Sequence, residues 1–256
     1  MVWRVSEIFK PRLHNVTVPV VIEEIIKPAE QGRSGPYFCR GADGHNYFVK
    51  GRNTGRRSQI VEWICAHLAK ALGLPVAPFA LVEIGPELLA ETPKAMQEVG
   101  AGLAFGSQEY VGALWFELEH VDKVKDITLR RDILVFDWWI RNTDRLTRNS
   151  NLLWDALKEK LVVIDHNLAF DVDFAAPDFL THHIFGGQVE AVFQDLIEQT
   201  QYQTRLCDAL AVVTGVYESV PEEWWWFDDE RTVETDFNWK IAQALLQRCD
   251  SNDFWR

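Results

Sequence analysis

The stretch from Asp132 to Asn167 constrains this chain more tightly than any other. It begins with the apolar run DILVFDWWI, passes through the polar loop RNTDRLTRNSN, and returns as LLW and KLVVI around DALKE. The first run completes a helical pattern from Val121 to Ile140, and the two short runs around DALKE read as a β-hairpin. A turn accounts for one Asn or Asp, whose side chains bond their own backbone. It does not account for Asp144, Asn149 and Asn151 in one loop, with a further carboxylate, Asp165, at the end of the apolar strand behind it.

The remaining pattern divides in two. Residues 16–28, VTVPVVIEEIIKP, read as strand, and PYFCR and HNYFVK flank GADG as a hairpin, Asp-Gly being a strong turn signal. In RRSQIVEWICAHLAKAL, residues 56–72, Ile60, Val61, Ile64, Cys65, Leu68 and Leu72 recur at helical spacing. Ser58 is expected to cap that helix, with Gly73 and Pro75 ending it. VAPFALVEI reads as a strand, ETPKAMQEV as a helix, and LAFGSQEYV as a strand running into a connector. Beyond residue 112 the pattern is helical apart from the hairpin, with segments expected near 188–199, 202–217 and 232–249. The expected fold class is α+β and bilobal: a sheet-rich N-lobe over residues 1–110 and a helical C-lobe over 111–256, joined near residues 108–115.

Composition excludes several functions. The chain has 256 residues, 47% of them hydrophobic, which is enough apolar mass for a core. Its net charge is -12, and general nucleic-acid binding needs a cationic face to neutralise phosphate. The 4 cysteines are scattered without a CxxC pair, so a reducing cytoplasm is the expected location. No signal-peptide pattern opens the sequence, and no apolar run approaches a membrane span. Trp is abundant, at 11 residues, and the cluster WWW at 224–226 reads as packing within EEWWWFDDE, expected to be a solvated helix junction.

Phosphoryl transfer from a nucleotide requires a cation on the phosphates, a divalent metal to neutralise charge, and a carboxylate to take the acceptor's proton. In protein kinases the last two come from a loop Asp-x-x-x-x-Asn and a later strand-borne Asp. Asp144 and Asn149 have that spacing, and Asp165 follows after the hairpin. Upstream, Lys50 ends the strand NYFVK, and Glu62 on the following helix is its natural ion-pair partner. Each element alone is weak, since an Asp-x-x-x-x-Asn loop mostly caps itself. All of them in this order, on the right elements, point to a kinase.

NTDRLTRNSNLL and VVIDHNLAF resemble the HipA-like kinases, relatives of protein kinases and phosphoinositide-type lipid kinases. RRSQIVEWICAHLAKALGLPVAP is similar to that family's helix with its acidic residue. The resemblance spans roughly residues 30 to 185. It implies a protein-kinase-like fold, ATP and Mg2+ as cofactors, Asp144 as catalytic base, and Asn149 and Asp165 as metal ligands. Lys50, paired to Glu62, would contact the ATP phosphates. QGRSGP is the positional match to the family's phosphate loop, with Ser34 as a candidate autophosphorylation site, and FGSQEYV would supply the adenine hinge through Tyr110 and Val111. The chain departs from the family in two places. His166-Asn167 stands where a Phe-Gly would follow the metal Asp, and the extra N-terminal domain of the toxin-type members is lacking, which counts against an antitoxin partner.

The acceptor is expected to be a Ser or Thr hydroxyl of a protein, the alternatives being a small-molecule or lipid hydroxyl, or a non-catalytic nucleotide-binding scaffold. His166 is expected to pack or hydrogen-bond in the site, since Mg2+ prefers oxygen. His182-His183 reads as a surface pair and Asn151 as a turn residue. Arg145 and Arg148 either hold a substrate phosphate or neutralise Asp144 and Asp155.

Overall fold

Short alternating strands near the start of the chain close on themselves. The computed structural model describes residues 18–30, 35–251 and 253–256. Strands β1 (Val20–Pro28), β2 (Tyr37–Gly41) and β3 (Asn46–Lys50) are followed by helix α1 (Arg56–Ala71), strand β4 (Phe79–Ile84), helix α2 (Pro86–Glu91) and strand β5 (Gly102–Gln108). The strands form a closed barrel in the order β1-β2-β3-β5-β4, and a parallel pairing of Val20 with Val82 and Val21 with Glu83 completes the ring. Inward residues such as Cys39, Val49 and Val82 are fully buried. Closure removes the sheet edges that isolated hairpins would expose.

Helix α1 begins at Arg56, two residues before the expected Ser58 cap. Gly55 precedes it with φ +81, a conformation glycine takes without a Cβ penalty. Ser58 lies inside the first turn, buried, with its hydroxyl unpaired. Ile60, Val61, Ile64, Cys65 and Leu68 are all fully buried, and so is Gln59 on the opposite face. The helix is therefore enclosed rather than half-exposed. ETPKAMQEV forms a 3-10 turn, Lys94–Val99, instead of an α-helix.

The second half comprises β6 (Leu114–Trp115), α3 (Ile127–Ile140), β7 (Leu152–Asp155), β8 (Lys160–Val163), α4 (Ala176–His182), α5 (Val189–Phe193), α6 (Leu196–Ala209), α7 (Val213–Ser219) and α8 (Trp239–Gln247). The expected hairpin is β7 with β8, and β6 adds a third strand. Helix α3 starts at Ile127 rather than Val121 because the Asp126 carboxylate accepts the Leu129 N–H as an N-cap. The same device splits the C-terminal helices, with Asp195 capping α6 and Asn238 capping α8. At the centre lies α3, whose buried indoles find partners: Trp138 donates to the Phe254 carbonyl at 2.7 Å and Trp139 to the Leu246 carbonyl at 2.8 Å. Val163 bonds Pro75 and Ala77 through its backbone, which lays the end of β8 against the segment after α1. Among the described residues no helix is long and apolar enough to cross a membrane.

Candidate active site

Lys50 is the last residue of β3, and strand parity puts it on the face of Phe48, opposite the barrel-facing Val49, where it lines the cavity at 6% exposure. Its amine donates to Glu62 on α1 and to Asp165 Oδ1 at 2.7 Å. The expected pair is present, with a second carboxylate on the same cation. Burial pulls the Lys50 amine down, but the Asp165 and Glu62 charges outweigh it and hold its pKa above the ordinary lysine value. Burial likewise works against Glu62, yet the Lys50 charge and His166 keep its carboxyl below the usual range. Asp165 goes the other way: burial and the neighbouring Glu62 charge raise it against the pull of Lys50. One ammonium thus serves two carboxylates, and Asp165 is the one it satisfies less.

Asp165 has φ +55, a left-handed backbone that a non-glycine residue adopts only under local constraint. The constraint comes from the residue after it. The His166 N–H donates to Glu62 at 3.0 Å, and its Nδ1 lies 3.5 Å from the other Glu62 oxygen. His166 packs edge-on against Phe136. It supports Glu62, as a packing and hydrogen-bonding reading of it requires.

A cavity of about 320 Å³ opens above this cluster, within the range of small-molecule sites. Phe48, Ala66, Val76, Phe79, Phe105 and Val163 supply apolar walls, and Lys50, Glu62 and Asp165 lie at the charged end. The connector runs along its rim through Ser107–Tyr110 and Gly112–Trp115. Tyr110 lines the cavity and carries the Lys158 amine 5.0 Å from its ring centroid. Val111, the other expected hinge contact, is 77% exposed and turned to solvent. Ser34 lies outside the described residues.

The loop after α3 starts with Arg141 in a left-handed C-cap, φ +50. Asp144 N–H bonds the Asn142 amide oxygen at 3.3 Å, and its carboxylate accepts Asn151 Nδ2 at 2.9 Å. Asn151 has φ +47, so it is a turn residue as expected and also a side-chain partner of Asp144. Asn149 pairs through its backbone with Leu146, and its side chain has no hydrogen-bond partner among the described residues. Arg145 is fully buried and pairs with neither Asp144 nor Asp155. Its Nε donates to Asp137 at 2.6 Å, and its Nη1 reaches the carbonyls of Asn151 at 2.5 Å and Ile164 at 3.2 Å. One guanidinium therefore joins the residue after Asp144 to the residue before Asp165. Arg148 is exposed.

Beneath the loop, Asp137 accepts from Arg145, from Asn142 and from His183 Nε2 at 2.9 Å. His183 Nδ1 accepts the Phe185 N–H, which fixes the proton on Nε2. Burial opposes the charge on Asp137, but Arg145 and His183 bring its pKa down to about 2, while burial lowers His183 and keeps it neutral. His182 is the exposed member of a pair expected to lie on the surface; His183 is 2% exposed. Sequence reading gave Arg145 and His183 other roles and missed Asp137, the support that joins them. The signal available was Asp137 itself, a carboxylate between Phe136 and Trp138.

A cavity with an apolar wall and a Lys–Glu–Asp cluster at one end is an arrangement that suits phosphoryl transfer. The family model for HipA-like kinases matches residues 22–256, so the chain belongs to the HipA-like kinase family. Comparison with curated proteins returns no match. Among solved structures, the proinflammatory kinase CtkA of Helicobacter pylori is similar over 92% of this chain and 93% of its own, with 11% sequence identity and a TM-score of 0.45.

Proposed function

We propose that this kinase is ATP- and Mg2+-dependent and transfers the γ-phosphate to a Ser or Thr hydroxyl of a protein. The observation that carries the reading is the double contact of Lys50 with Glu62 and Asp165 at the closed end of the cavity. Two lobes divided near residue 110 would then face each other across that cavity. Its apolar walls suit a purine, with Tyr110 at the rim, and its charged end suits phosphates.

Asp165 and Glu62 bring carboxylate oxygens together around Lys50, and oxygen donors suit Mg2+. Among the described residues no three His, Cys, Asp or Glu side chains converge to hold a metal alone, so bound phosphates would complete its shell. Bound MgATP supplies the transferable group and the charge neutralisation. Lys50, its amine kept in place by Glu62, would contact phosphate. Asp165 and Asn149 would hold the metal. Asp144, oriented by Asn151, accepts the acceptor's proton. A small-molecule acceptor would use the same groups. All 4 cysteines are free, which suits a cytoplasmic setting.

The test is labelled-phosphate incorporation with Mg2+ and ATP into the protein itself and into a lysate. Wild type should incorporate label, and Asp144→Ala should abolish incorporation while retaining nucleotide binding. Equal incorporation by both proteins sinks the assignment. Intact-mass and peptide analysis after ATP incubation tests Ser34, and an unmodified Ser34 peptide in a labelled protein removes the autophosphorylation site from that position.

A further inference from the structure

The segment EEWWWFDDE exposes Glu222, Phe227, Asp229 and Glu230, but it is more than a solvated junction. Trp224 is fully buried, and the segment reaches back to grip α1 and β5, the two elements that flank Lys50. Both backbone groups of Leu103, near the start of β5, are taken by it. The Leu103 N–H donates to Glu223 at 2.9 Å, and the Trp224 indole donates to the Leu103 carbonyl at 2.9 Å. The left-handed backbone next door favours glycine. Gly102 has φ +104, and a Cβ there would lie 2.9 Å from the Glu223 carboxylate.

The grip extends to the active-site helix by two routes. Trp63, the residue after Glu62, donates its indole N–H to the Ser219 hydroxyl at 2.9 Å and meets Trp224 edge-on at 6.4 Å. Glu223 also lies 3.6 Å from Arg56, Arg56 donates to Gln59 at 3.0 Å, and Gln59 donates to the Lys50 carbonyl at 2.9 Å. An ion pair between Arg52 and Asp229 adds a contact just beyond β3. Lys50 is thus reached from Glu223 through α1, and through β5 by its own pairing with Phe105.

We propose that Glu223 and Trp224 are positioning residues for the Lys50–Glu62 pair: the C-terminal segment clamps α1 to β5 and fixes the amine at the phosphate end of the cavity. The proposal rests on the kinase reading for its kinetic consequence but not for its structural one. A merely packing role predicts uniform loosening, whereas a clamp predicts a local effect on α1.

The experiment compares Glu223→Ala, Glu223→Gln and Trp224→Phe with wild type in the full chain, by hydrogen exchange and by steady-state kinetics with ATP. Glu223 is partly exposed, so its substitution leaves the fold in place, and Gln retains an acceptor for the Leu103 N–H. Glu223→Ala should raise exchange in residues 58–66 while α3 and α6 keep wild-type protection. It should also lower kcat/KM for ATP about tenfold, the scale of one lost hydrogen bond to a charged group. Glu223→Gln should recover most of both effects, and Trp224→Phe should show the same pattern more weakly. Wild-type exchange in α1 of Glu223→Ala overturns the proposal, as does exchange that rises equally in α1, α3 and α6. Hydrogen exchange needs no turnover, so an inactive wild-type protein would count against the kinase reading while exchange still decides the clamp.

Discussion

Asn151 joins two roles in one residue: its backbone makes the left-handed turn into β7, and its amide N–H binds Asp144 at 2.9 Å. Asn149, which has the spacing from Asp144 that marks a metal ligand, makes no such contact, so the two amides are separable by mutation. Asn149→Ala should weaken nucleotide affinity only when Mg2+ is present. Asn151→Ala should lower kcat about tenfold or more with that affinity unchanged, the loss expected when a catalytic group is misplaced. Titration of ATP with and without Mg2+, alongside kcat, separates the outcomes; loss of metal-dependent affinity in Asn151→Ala alone would transfer the ligand role to it. Arg145 makes the companion case. It binds Asp137 and the carbonyls on either side of the site through a planar fork that Lys lacks, so Arg145→Lys should cost activity about a hundredfold, more than its loss in thermal midpoint explains. Full activity in Arg145→Lys would refute the coupling of Asp144 to Asp165. The loop was legible as a candidate because spacing along one chain reveals it. The partner of Arg145 was not, because choosing Asp137 over Asp144 or Asp155 requires knowing which face of α3 meets the loop.

Apart from ETPKAMQEV, elements set by local signals were read correctly, and those set by caps or distant pairing were not. The β7–β8 hairpin and α1 follow from apolar periodicity. Asp126, Asp195 and Asn238 cut helical patterns into shorter helices because a side-chain oxygen at the N-cap competes with continuation of the helix. The parallel contact of β1 with β4 joins strands about sixty residues apart, and no local pattern encodes it. Helix α3 is the element on which loop geometry and stability meet, because Asp137 links it to Arg145 and His183. Asp137, depressed to about 2, contributes stability above the ordinary carboxylate value that is lost as pH falls from about 4 toward 2. His183, lowered by burial, is neutral in the folded protein; its contribution is present above the ordinary histidine value and is lost as pH falls below about 6.5. His183→Gln keeps a donor for Asp137 and cannot titrate. Urea unfolding should therefore show stability rising between pH 5 and 7 in wild type, with a shallower rise in His183→Gln. Parallel slopes in the two proteins would remove His183 from the pH response.

At the scale of the molecule, one cavity draws its walls from segments far apart in the chain: Phe48 and Lys50 from β3, Ala66 from α1, Trp115 from β6, Val163 from β8 and Asp165 just after it. A ligand in that cavity binds only when all of these are assembled, so it should raise the stability of the whole and not of one half. Linkage puts the gain at about 2.7 kcal/mol when free ligand is a hundredfold above its Kd. The contact between Lys50 and Asp165 also predicts how the gain divides. Lys50 holds Asp165 at 2.7 Å, so phosphate alone must draw the amine away and leave a buried carboxylate unpaired. A divalent cation arriving with the phosphates gives Asp165 a replacement partner. MgATP should therefore raise the thermal midpoint in a single transition, and ATP with chelator should raise it much less. In Asp165→Asn the carboxylate no longer needs replacing, so ATP alone should bind that variant at least as well as wild type, and Mg2+ should add little. Equal shifts with and without Mg2+ in the wild-type protein would place the metal elsewhere than Asp165, and two separate transitions under MgATP would show that the halves do not share the ligand.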